Sequence, residues 1–142
     1  MDASAAMTPR CVLGLYDKPM WDSIDDGEMR LQRCKQTGVF HYPPGPVSPT
    51  CLSGDLEWVP ISGRGVILSW VIFHQQYLPA YPAPYNVIAV RIEEGPVLIS
   101  NLEGETPDGS WIGHKVRLIY AKMPDGVVLP RFELDPGSPT AA

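Results

Sequence analysis

The sequence predicts a mainly β protein: a short N-terminal helix, a ribbon-like segment and a small five-stranded barrel. Three observations carry this. Sixteen prolines and thirteen glycines in 142 residues favour short strands and many turns over long helices. From Val66 to Leu134, runs of β-branched and aromatic residues recur at short spacing, separated by Gly, Pro and Asp turns. Cys34 and Cys51 bracket a Gly- and Pro-rich loop, which is the outline of a small metal-binding ribbon.

The elements follow in order. Residues 1–16 are small, polar and unpatterned, and are expected to form a flexible tail. "DKPMWDSIDDGEM" reads as a short helix, with Asp17 as cap, Pro19 in the first turn and Gly27 as terminator. Met20, Trp21 and Ile24 fall on one side of it. Asp25 and Asp26 oppose the helix dipole at its end, so the helix stays short. "EMRLQRC" alternates as a strand and leads into a first knuckle, Cys34-Lys35-Gln36-Thr37. "VFHYPP" is a second strand, stopped by Pro43 and Pro44. The second knuckle is Ser48-Pro49-Thr50-Cys51.

"DLEWVPISGRGVILSWVIFH" is the strongest β signal, with a turn at Ser62-Gly63-Arg64-Gly65 before the run Val66 to Phe73. After the loop "QQYLPAYPAP" come "YNVIAVRIEEG", "PVLISNLEG", "HKVRLIYAKM" and "GVVLPRFEL" as four more strands, with one short helical turn expected in "TPDGSWIG". Five strands at this spacing favour a closed barrel of the OB type. The chain divides into a tail (1–16), a helix and ribbon (17–60), a barrel (61–134) and a disordered tail (135–142).

Hydrophobic content of 44% and charged content of 19% fit a globular protein. A net charge of −5 opposes a phosphate backbone as main partner. Three cysteines without a pairing pattern point to a reducing, cytoplasmic setting. The N-terminus lacks the basic-then-apolar pattern of a signal peptide, and no apolar run approaches the roughly 20 residues that span a bilayer.

Structural zinc sites close a tetrahedron with four Cys or His ligands. Here each knuckle offers one thiol and one hydroxyl, and hydroxyls are poor zinc ligands. Zinc is therefore not expected. The segment reads as a degenerate ribbon held by Pro and aromatic packing, with Thr37 and Ser48 hydrogen-bonding turn backbones. Cys34 and Cys51 are placed to pair if oxidised, which a reducing compartment disfavours.

No Ser or Cys stands in a nucleophile-elbow or papain-like context, and "SGRG" lacks phosphate-loop spacing. His74 ends the strongest strand, either facing a ligand or lying on the surface. Glu93 and Glu94 read as a solvated turn. Arg64 either meets a phosphate or acidic patch or serves solubility alone. Tyr77, Tyr81 and Tyr85, interleaved with Pro79, Pro82 and Pro84, make a stiff aromatic loop suited to an interface or a ligand wall. Phe40, Tyr42, Pro43 and Pro44 form a similar apolar cluster on the ribbon, which burial against another subunit would stabilise.

Several stretches occur in a characteristic order: "LQRC", "YPP", "LEWVPISGRG", "SW", "EEGP", "SNL", "IG" and "LP". In this order, over Asp17 to Leu134, the chain resembles the acyl-CoA-associated OB-fold family with an N-terminal rubredoxin-like zinc ribbon. The resemblance implies a non-catalytic accessory subunit. It would dock on a thiolase-like enzyme, a hydratase or an aldolase of lipid, steroid side-chain or related acyl-CoA metabolism. The partner's CoA thioester would run along the ribbon and barrel, and no cofactor is expected for this chain itself. Trp70, in the matching "SW", joins Phe40, Tyr42, Pro43, Pro44, Arg64, His74, Tyr77, Tyr81 and Tyr85 as candidates for the partner surface or CoA path. The family's four thiol positions fall on Cys34, Thr37, Ser48 and Cys51, so the chain departs from the family at its metal site. Two rivals remain: a single-stranded nucleic-acid-binding OB module, opposed by the acidic charge, and a stand-alone hydrolase or lyase, which no constellation supports.

Overall fold

The computed structural model describes residues 7–9 and 12–136. Helix α1 spans Lys18–Asp25, with a proline in its first turn and Gly27 at φ 76 just beyond its end. Asp17 occupies the cap position without bonding the helix amides. Its carboxylate accepts instead from the Gly14 amide at 3.3 Å, so the expected side-chain cap is replaced by a contact that steadies the approach to the helix. Met20 and Ile24 are buried as the spacing predicts, and Trp21 is half-buried.

Strands β1 (Arg30–Cys34), β2 (Phe40–His41) and β3 (Leu56–Pro60) form one antiparallel sheet in the order β2-β1-β3. The second sheet contains β4 (Arg64–Phe73), β5 (Tyr85–Ile92), β6 (Val97–Ser100), β7 (Leu102–Glu103), β8 (Lys115–Lys122) and β9 (Val128–Leu134). Its order is β6-β5-β4-β8-β9-β7.

The expected strand "PVLISNLEG" is split at Asn101. Its first half pairs with β5 and its second half pairs parallel with β9. The sheet is therefore not closed by one continuous ladder, as the sequence had suggested. The two halves of one segment occupy its opposite ends, and single bonds stitch the seam. The Phe132 amide donates to the Asn101 carbonyl at 3.0 Å, and the Ser100 hydroxyl to the Pro130 carbonyl at 2.8 Å. Asn86 adds a clamp, donating to the Leu102 carbonyl at 2.9 Å and accepting from its amide at 2.7 Å.

The side chains of Ile67, Ile88, Val90, Ile92, Leu98, Leu102, Val116 and Phe132 fill the barrel, and Met20, Ile24, Met29 and Leu31 belong to the same core. Gly65 is needed where β4 crosses β5: an added Cβ would lie 2.5 Å from Val90 Cγ1 and 2.9 Å from the Arg91 carbonyl oxygen.

"TPDGSWIG" forms bends and a turn rather than the expected helical turn. Its Trp111 is buried and stacks on Trp70 with centroids 4.6 Å apart, so packing of the indole sets this segment's path. Within the expected N-terminal tail, Thr8 is buried. Its amide and hydroxyl donate to the Asp125 carboxylate at 2.7 and 3.0 Å. The Asp135 amide extends the barrel ladder by donating to the Lys115 carbonyl. The rest of the tail assignments, at 1–6, 10–11 and 137–142, lie outside the described residues.

Candidate functional site

The ribbon positions its residues through β1, which is hydrogen-bonded on both edges. The Cys34 amide donates to the Val39 carbonyl and the Gly38 amide to the Cys34 carbonyl. These bonds give the first knuckle its tight turn, with Gly38 at φ 74. In the second knuckle the Leu52 amide donates to the Ser48 carbonyl at 2.8 Å, and Leu52 itself adopts a positive φ of 57. The two knuckles meet, so that Cys34 Sγ lies 3.2 Å from Cys51 Sγ. Cys34 is buried and Cys51 half-buried.

The donor set does not fit zinc. Two sulfurs on one tetrahedral zinc, at Zn–S bonds near 2.3 Å, stand about 3.8 Å apart; this pair is closer. Ser48 is turned to Thr50, with 3.0 Å between their hydroxyl oxygens. Thr37 accepts from the Val39 amide at 3.4 Å. Among the described residues no three His, Cys, Asp or Glu side chains converge as a metal site. Both hydroxyls bond within their own turns.

The Cys34 thiol is nonetheless unusual. Hydrogen bonds from the Thr37 hydroxyl, then the Cys51 thiol and the Thr37 backbone, lower its pKa from 9.0 to about 7 against the opposing effect of burial; the Gln36 backbone adds a smaller contribution in the same direction.

His41 does not reach the thiols. Its Nε2 is 2.6 Å from Gln32 Oε1, which also accepts the Gly45 amide at 2.8 Å, while Nδ1 is buried without a hydrogen-bond partner among the described residues. Burial pushes the His41 pKa below its usual 6.5. The unfolded chain therefore takes up the proton first as pH falls. The stability that neutral His41 supports is complete above the ordinary histidine pKa and is lost as pH drops through it toward the lower folded value. Melting curves from about pH 7.5 to 5 should show the wild-type Tm falling more steeply than that of His41→Gln; equal slopes would exclude His41 as the source.

The ribbon's aromatic cluster divides. Phe40 packs against the core under the Arg33 guanidinium, 5.8 Å from its ring, whereas Tyr42 and Pro43 are exposed and Pro44 is half-buried.

On the barrel, Trp70 faces inward onto Trp111. His74 is exposed just beyond β4. Arg64 pairs with Glu93 at 3.2 Å and, with Arg91 and Lys115, lines an open hollow of about 550 Å³. The Glu93–Glu94 turn is solvent-facing, with Glu93 exposed and Glu94 half-buried. Besides holding Arg64, it anchors the preceding turn, since the Ser62 amide donates to the Glu94 carboxylate at 2.9 Å.

Tyr77, Tyr81 and Tyr85 come together around Phe73. Phe73 stacks on Tyr85 at 5.0 Å and meets Tyr77 edge-on at 6.3 Å, while Tyr81 lies 6.0 Å from Tyr85 and beneath the Arg131 guanidinium.

This aromatic group is the end of a larger apolar face that sequence reasoning missed. A bulge leaves Leu68 without a partner in the β4–β5 ladder: Ile67 pairs with Val90 and Ser69 with Ala89. Beyond the bulge the faces exchange. Trp70 and Ile72 turn in, and Val71 and Phe73 turn out. Val71 then opposes Val87, Phe73 opposes Tyr85, and Ala89 opposes Ile99, one outward face of β4, β5 and β6. Val71 is 51% and Ile99 68% exposed.

Comparison with known proteins agrees with this architecture. Residues 21–57 match the sequence family described as the rubredoxin-like zinc ribbon domain of ChsH2, and residues 58–120 match its C-terminal OB-fold domain. A probable enoyl-CoA hydratase alpha subunit of Thermomonospora curvata is 32% identical over 89% of this chain; the chain spans 40% of that relative's length. A DUF35 domain-containing scaffold protein of Methanothermobacter thermautotrophicus is 30% identical over 73% of this chain and 83% of its own length. Among solved structures, the Ltp2-ChsH2(DUF35) aldolase contains a chain that superposes with a TM-score of 0.80 at 30% identity, covering 88% of this chain and 98% of that one. With both domains matched in order and such a neighbour covered almost end to end, the chain belongs to the DUF35 family, in its ChsH2-type form of rubredoxin-like ribbon followed by OB fold.

Proposed function

We propose that this chain is a non-catalytic accessory subunit that docks on a thiolase-like enzyme or an aldolase and walls one side of the path taken by its acyl-CoA substrate. The observation that carries this is the apolar outer face of β4–β6. Val71 and Phe73 on β4 and Ile99 on β6 are exposed on one face across β5, with the Tyr77–Tyr85 loop at its Phe73 end. An exposed apolar patch backed by a stiff sheet is what a protein interface needs, since little side-chain freedom is lost on docking. The relatives support the reading, being a hydratase subunit, a scaffold protein and a component of an aldolase.

Tyr42 and Pro43 offer a second contact on the ribbon. Arg91 and Lys115, with Arg64 in its pair with Glu93, line the open hollow beside the carboxylates of Glu93 and Asp135 and offer cations for a CoA phosphate at the rim. The nucleophile and acid–base groups then belong to the partner, and zinc is not needed to hold the docking surface. Among the described residues no helix is long and apolar enough to cross a membrane.

The test is recovery of the tagged chain from its native cells at gentle salt, followed by weighing the intact assembly. A thiolase-fold or aldolase subunit in fixed ratio is expected, with acyl-CoA turnover by the assembly and none by the purified chain. Turnover by the chain alone overturns the reading.

A further inference from the structure

The two cysteines that remain in the ribbon are in contact with each other rather than spread around a metal. We propose that Cys34 and Cys51 are a reversible cross-linking site, a dithiol–disulfide couple that closes the ribbon where its relatives' fold uses metal. The argument is geometric. The sulfurs lie 3.2 Å apart, too close to share a tetrahedral zinc and within about 1 Å of bonding distance. The other two knuckle positions are hydroxyls committed elsewhere: Ser48 to Thr50, and Thr37 to the Val39 amide and to Cys34 itself. Bonds along the chain hold both knuckles in place, from Lys35 to Asp55, Ser48 to Ser53 and Leu52 to Ser48, so the sulfurs meet without a bridging ion.

The burial pattern sets the order of events. Half-buried Cys51 is open to a small reagent and buried Cys34 is not. The oxidant class is a low-molecular-weight disulfide such as glutathione disulfide. The Cys51 thiolate attacks one of its sulfurs, forming a mixed disulfide and releasing one glutathione thiolate. The Cys34 thiolate, favoured by the same hydrogen bonds that lower its pKa, then attacks Cys51 Sγ and expels the second. Two protein thiols are oxidised, one glutathione disulfide is reduced to two thiols, and the two protons pass from the cysteines to the leaving thiolates. The inference stands apart from the docking proposal and survives its failure.

The test uses the full chain with Cys11→Ser, which removes the third thiol and leaves Cys34 and Cys51 as they are. The reduced protein is equilibrated in glutathione buffers of increasing oxidised fraction. Expected are the loss of two hydrogens in the intact mass, a proteolytic fragment joining Cys34 to Cys51, and a rise in Tm of about 5–10 °C that dithiothreitol reverses. Cys51→Ser should show none of the three. The proposal is overturned if both thiols stay alkylatable in excess glutathione disulfide. It is equally overturned if the mixed disulfide accumulates on Cys51 unresolved, or if the reduced chain retains one zinc per molecule through dialysis.

Discussion

Phe73→Asp and Ile99→Asp are each expected to weaken the proposed complex with a catalytic partner by about 30- to 1000-fold, the range of a central interface residue at roughly 2–4 kcal/mol. Phe73 on β4 meets Tyr85 and Tyr77 by ring contacts, and Ile99 projects at 68% exposure from β6, across β5 on the same outward face. A carboxylate at either place must be desolvated against an apolar partner surface. Both side chains lie outside the core, so the variants should melt within a few degrees of wild type. Titration calorimetry or surface plasmon resonance against the isolated partner reads the affinity. An affinity unchanged in both variants would remove the outer face of β4–β6 from the docking reading.

Phe132→Ala should cost about 3–5 kcal/mol of stability. Phe132 is 1% exposed, pairs with Leu118 on one side and Leu102 on the other, and carries the amide that crosses the seam to Asn101. Truncation leaves a cavity beside the seam between the two halves of the split strand. Urea unfolding followed by tryptophan fluorescence should show the midpoint displaced with little change in slope. A loss below about 1 kcal/mol would mean that the seam collapses around the gap and that its bonds, rather than the ring, hold the barrel shut.

Much of this architecture is written in local chemistry. Pro19 and Gly27 frame α1, Pro43 and Pro44 end β2, and the β-branched run from Val66 to Phe73 gives β4. The ribbon itself was legible from its two knuckles, and Thr37 and Ser48 at two of the knuckle positions are read from residue type alone. Other features depend on distant partners. Alternation read straight through β4 would send Val71 and Phe73 into the core with Ile67. The unpaired Leu68 reverses that, and a bulge has no clear signature in a run that is apolar on both faces apart from Ser69. The split at Asn101 was hidden for a similar reason: parallel pairing of Leu102 and Glu103 with β9 is decided by a strand some thirty residues further on. Trp70 entered the candidate set through the matching "SW", and its stacking partner, Trp111, lies in a stretch expected to form a short helical turn, so the pairing was not legible in the sequence.

The helix, ribbon and barrel share one core, and the join between them is short. Only Ile61 to Gly63 separate β3 from β4, and the Ile61 amide is held by the Met29 carbonyl at 3.1 Å. The Met29 amide in turn donates to the Tyr120 hydroxyl at 2.7 Å. Such a join has no slack in which to swivel. The chain therefore behaves as a fixed bracket rather than as two beads on a string. Whatever grips the ribbon also sets the compass bearing of the apolar face, and one anchoring contact is enough to aim the other.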